Sequence, residues 1–184
     1  DPAVPDRPGR PEKPDLVAPR LLKKRSLKTL RGRIALMHAL AHIELNAIDL
    51  AWDLIARFAD PALPRTFYDD WVGVADDEAR HFDALQGRLT ALGSTYGDLP
   101  AHDGLWEMAR KTADSCLVRM ALVPRVMEAR GLDVTPDMMN RFQAAGDGRT
   151  RHVPSHALDP QRAADAVKRE VTTHVPKGES AAHA

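Results

Sequence analysis

The sequence predicts an all-α protein. Three observations carry this reading: no segment alternates polar and apolar residues with a strand's period, two long proline-free stretches carry apolar residues at helical spacing, and a short turn containing Pro61 and Pro64 joins them. The chain has 184 residues, with 26 Lys+Arg against 26 Asp+Glu and a formal net charge of zero. That length gives room for one substantial core.

The charge balance excludes two classes of protein. A dedicated nucleic-acid binder carries a basic excess to neutralise phosphates, and a membrane-surface helix needs a cationic face. The basic stretch from Arg20 to Arg33 reads as a solvated helix start, so nucleic acid is not an expected partner. The single cysteine, Cys116, rules out an intramolecular disulfide and a four-thiolate zinc site, and points to a reducing compartment. With no apolar leader and no apolar run near the ~18 residues of a membrane span, the expectation is a cytoplasmic protein without a membrane segment.

Residues 1–25 form a Pro-rich extended arm: Pro2, Pro5, Pro8, Pro11, Pro14 and Pro19 remove backbone donors and favour polyproline geometry. The first helix spans Ser26 to Asp60, with Met37, Ala41, Ile48, Ala51 and Ile55 along one face. The second runs from Arg65 to Leu92, with Trp71, Val74, Phe82, Leu85 and Leu89 on its stripe and Gly93 after its end. An irregular connector, Ser94–Asp103, is long enough to travel most of a helix length. A third helix is expected from Gly104 to Arg130, with Ala109, Ala113, Leu117, Met120, Ala121 and Pro124 on one side. A shorter fourth, Pro136–Ala145, opens on Thr135-Pro136. Residues 26–148 thus form the helical domain, and 149–184 form a flexible tail poor in large apolar residues.

Acids stand where these stripes demand apolar side chains. Glu44 falls on the first stripe and Glu78 on the second, and burying an ionised carboxylate without a partner costs several kcal/mol. His81 follows Glu78 by three residues, forming a Glu-x-x-His pair that offers a carboxylate oxygen and an imidazole nitrogen to one ion. Glu44 lies 16 residues before Asp60 and Glu78 lies 14 after Pro64. In an antiparallel hairpin the two carboxylates then stand within about 3–5 Å of the same height. Glu128 joins them on the third helix, one turn after the kink expected at Pro124. The structural alternative is ion pairing with Arg80, Arg125 or Arg130.

His38 and His42 share a face at i, i+4, but His42 points about 200° away from Glu44. They read as structural residues or as groups that support ligands from behind. Glu107, at a helix start, and Met120, Met127, Met138 and Met139 read as ordinary boundary and packing positions.

The segments from His38 to Leu50, Phe67 to Phe82, Tyr96 to Ala109 and Leu122 to Asp133 closely resemble a bacterial ferritin-like family, domain of unknown function 455. The arm's Arg-Pro-Glu-Lys-Pro-Asp-Leu-Val-Ala-Pro resembles that family's N-terminal segment, and the resemblance covers about residues 7–147. It implies a ferritin-like four-helix bundle around a carboxylate-bridged metal pair, two iron ions or alternatively manganese. Glu44, Glu78, His81 and Glu128 would be ligands. It also implies a second Glu-x-x-His on the last helix, where this chain has Gln161 and Ala164. The last helix therefore reads as divergent or incomplete, and the abrupt change after Asp147 as a divergent or frameshifted C-terminus. Within the tail, Glu170 and His174 share the face of a short helix and are weaker candidate ligands.

The function this implies is an O2-activating di-iron oxidase or hydroxylase acting on a small molecule, with a homo-oligomer permitted. The alternatives are a non-catalytic metal-binding or structural bundle and an inactive, truncated family member.

Overall fold

The computed structural model describes residues 4–22 and 26–120. Within them the fold is all-α, without strands: α1 spans Leu30–Arg57, α2 Arg65–Ala91 and α3 Gly104–Lys111, with one 3-10 turn at Pro19–Leu21. The expected fourth helix, the tail, Glu128, Glu170, His174, Arg125 and Arg130 lie outside the described residues.

Helix α1 starts later than the periodicity implies because Ser26–Thr29 close a turn, with the Thr29 amide donating to Ser26 O. Thr29 then caps α1, its hydroxyl accepting from the Gly32 amide at 3.1 Å. Gly32 is required there, since a Cβ would lie 1.8 Å from Ser26 O. The turn to α2 is held by Asp60, whose carboxylate accepts from the Ala62 amide and whose carbonyl accepts from Tyr68 Oη. Helix α2 ends in a Schellman motif: the Ser94 amide donates to Leu89 O, the Gly93 amide to Thr90 O, and Gly93 takes a φ of +80°.

The third helix departs from the single span expected. It stops at Lys111, and helical structure resumes only at residues 116–120. Polar chemistry overrides the apolar period. The Thr112 hydroxyl bonds back to Met108 O and Ala109 O, and Ser115 Oγ caps the restart by accepting from the Val118 amide. The break shifts the register, so Met120 is buried and Cys116 half-buried, whereas Leu117, expected on the buried stripe, is 53% exposed.

Helices α1 and α2 form the antiparallel hairpin. Its core is divided into two apolar clusters: Met37, Ala41, Leu85 and Leu89 on one side, and Ala51, Leu54, Phe67, Trp71 and Val74 on the other. A third cluster, Leu50, Leu105, Trp106 and Ala109, seats α3 on α1. The arm lies along α1 and α3. Arg7 pairs with Asp103, Arg10 reaches Asp49 and Asn46, and Trp106 Nε1 donates to Asp6 O. A parallel bridge between Leu16 and Ala101 ties the arm to the connector.

Helix α1 is long and apolar enough to cross a membrane, with a window of mean hydropathy 1.3. Half of that window is buried, and the helix buries His38, His42, Glu44, Asn46 and Asp53, the composition of a core helix that carries a site.

Candidate metal centre

The two apolar clusters of the hairpin are separated by a polar layer. Glu44 on α1 faces Glu78 and His81 on α2, and one ligand-type atom from each lies within 4.8 Å of the others. The hairpin register expected from the turn places these side chains at one height. His81 Nδ1 lies 3.0 Å from Glu78 Oε2 and 4.0 Å from Glu44 Oε2.

Glu44 is 1% exposed, and its Oε2 is buried without a hydrogen-bond partner. Burial first, then a hydrogen bond to Glu78 and the Glu78 charge, hold its carboxyl far above the usual carboxylate range. Arg80 does not relieve this: it is turned to solvent and pairs with Asp76 and Asp77. The arrangement offers two carboxylates and one imidazole to a common point, a donor set suited to first-row divalent metals.

His38 and His42 are occupied with the connector. His38 Nε2 accepts from the Gly97 amide at 2.9 Å, and its ring stacks on Tyr96. His42 Nδ1 lies 2.7 Å from Tyr96 Oη, and its Nε2 lies 3.1 Å from His102 O. Since a carbonyl only accepts, His42 Nε2 carries the proton and Nδ1 receives the tyrosine hydroxyl. Burial lowers the His42 pKa to about 4 and raises that of Tyr96 to about 12, so both are neutral at pH 7.

Two further charged groups escape sequence reading. Arg10 bonds Asp49 Oδ2 at 2.6 Å and Asn46 Oδ1 at 2.8 Å, and lies over the Trp106 ring. Arg119, 2% exposed, donates to Asp53, Thr112 Oγ1 and Ala109 O, while Arg57 holds Asp53 from the other side at 2.8 Å. Asp53-x-x-x-Arg57 was visible as a helical i, i+4 pair. The partners Arg10 and Arg119 are distant in sequence, and no local pattern marks them.

Fold and site together define an all-α protein with a carboxylate–imidazole cluster inside a helical hairpin. A family model described as protein of unknown function (DUF455) matches residues 1–180, and the chain belongs to that family. The match runs beyond the 7–147 marked by the motifs and includes the segment that carries Gln161 and Ala164. An uncharacterised protein of Haemophilus influenzae is 49% identical over 142 residues, covering 74% of this chain and 49% of that protein. The chain thus spans about half the length of the curated relative it matches. No solved structure matches.

Proposed function

We propose that this chain is a ferritin-like helical-bundle protein whose Glu44, Glu78 and His81 hold a metal ion, as part of a two-metal carboxylate centre that oxidises a small molecule with O2. The observation that carries this reading is the buried, partnerless Glu44 Oε2 beside a second carboxylate and an imidazole. An acid buried with no lysine or arginine beside it among the described residues leaves a position suited to a cation. Iron suits the donor set, with manganese second.

When bound, two such ions would supply two electrons to O2, half of the four that its reduction to water takes. Glu44 would hold the ion from α1, Glu78 and His81 would hold it from α2, and the flanking apolar clusters would exclude water. Glu128 is the proposed ligand from the next helix, with Glu170 and His174 as weaker candidates. A homo-oligomer is compatible with this reading.

One observation favours a non-catalytic reading. A raised Glu44 pKa allows Glu44 and Glu78 to share a proton, which would make the layer a structural polar pair in a bundle, as in an inactive family member. Metal analysis separates the two. Iron-replete protein is expected to carry about two irons per chain, as a two-metal centre requires, with an O2-dependent absorption band, both lost in Glu78→Ala. Iron at or below one per chain and unchanged in Glu78→Ala would overturn the metal reading.

A further inference from the structure

A cavity of about 490 Å³ opens where the arm, the C-terminal end of α1 and α3 meet, on the opposite side of α1 from the carboxylate layer. Its floor is the Arg57–Asp53–Arg119 cluster, in which one carboxylate serves two guanidiniums and leaves one positive charge in excess. Arg119 spends all of its nitrogens on protein acceptors. Arg57 is different. Its Nε and Nη2 are fixed by Asp53 and Pro5 O, which leaves Nη1 as a pre-oriented donor pair without a partner among the described residues.

Arg110 and Lys111, on the last turn of α3, line the same cavity, are exposed and form no ion pair among the described residues. The acids that face these groups are Asp6 on the arm, Glu107 on α3 and Asp114 just beyond it, all three exposed, with the charges of Asp6 and Asp114 acting on Arg57. A dianionic phosphate, held by Arg57 Nη1 and the two cations of α3, gains charge-assisted hydrogen bonds from each. The volume lies in the range of small-molecule pockets and exceeds the needs of phosphate alone, leaving space for an organic group.

We infer that this cavity binds a phosphate-bearing small molecule, with Arg57, Arg110 and Lys111 as its anchors. The site is separate from the carboxylate layer and does not depend on the metal reading.

Calorimetric titration of the full chain with pyrophosphate tests it, with citrate as a tricarboxylate comparison. Pyrophosphate is expected to bind saturably and more tightly than citrate. The double variant Arg110→Ser/Lys111→Ser should weaken binding about tenfold or more through lost charge-assisted bonds. Lys28→Ser/Arg65→Ser, which removes the same charge elsewhere, should leave binding unchanged, and so should Glu78→Ala. Absence of saturable binding, a preference for citrate, equal weakening in both double variants, or loss in Glu78→Ala would overturn the assignment.

Discussion

On the face of α1 turned toward the arm and α3, Asp53 lies between Arg57 and Arg119, and Asp49 takes Arg10. On the face turned toward α2, Glu44 is more deeply buried than either but meets Glu78 and His81, and among the described residues no lysine or arginine pairs with it. One helix thus buries acids in two ways. Where the chain supplies the cation, the acid fixes tertiary structure, stitching α1 to segments that are far away in sequence. Where it supplies none, burial costs stability without return unless a proton or a metal ion completes the layer. The difference separates a structural ion cluster from a candidate site with no reference to any relative.

Changes on the two faces should therefore behave in opposite ways. The largest effect is expected on the paired face. Arg119→Ala removes a buried guanidinium from Asp53, Thr112 and Ala109 O and leaves the acid with Arg57 alone. It should destabilise the fold by about 3–5 kcal/mol in urea unfolding. A loss below about 1 kcal/mol, the range of an exposed pair, would break the contrast.

On the unpaired face, removing the charge should help the metal-free protein. The folded-state pKa of Glu44 lies above its ordinary value of 4.5, so the acid imposes a penalty that grows as pH rises above that value and disappears below it. Glu44→Gln should stabilise metal-free protein by about 3 kcal/mol at pH 8, with the gain vanishing near pH 4. Destabilisation at pH 8 would show that Glu44 has a protein partner after all.

A smaller effect belongs to His42, whose depressed pKa acts with the opposite sign. Its neutral ring contributes stability that is fully present above 6.5 and lost as pH falls toward about 4. Measured in the Glu44→Gln background, which removes the opposing slope, acidification across this window should cost about 2 kcal/mol, allowing for partial solvent screening. His42→Asn should flatten that loss; an unchanged slope would assign the acid sensitivity to another group.

The parts of this contrast were not equally legible in the sequence. Helix stripes and a tight turn are local, so the register that brings Glu44, Glu78 and His81 to one height follows from spacing alone. The end of α2 was legible for the same reason, since Gly93 marks a Schellman motif. The break between Lys111 and residue 116 was not. Apolar spacing continues through it, and the hydroxyls of Thr112 and Ser115 override the spacing by bonding locally. The roles of Arg10 and Arg119 were hidden because each partner is chosen by tertiary approach, with |i−j| of 39 and 66. Helical angle sets His42 apart from Glu44, yet the attachment of His38 and His42 to the connector through Gly97, Tyr96 and His102 required the path of a loop that has no periodicity.

The most direct test of whether Glu44, Glu78 and His81 await a cation is an anaerobic titration of metal-free chain with Mn(II), following the free-ion electron paramagnetic resonance signal. Saturable binding is expected, weakened about a hundredfold or more in Glu44→Gln and in Glu78→Gln, a loss at or beyond the upper end of what ligand-supporting residues give, while Arg110→Ser/Lys111→Ser leaves it unchanged. Absence of saturable binding, or binding equal in wild type and Glu44→Gln, would contradict the metal reading.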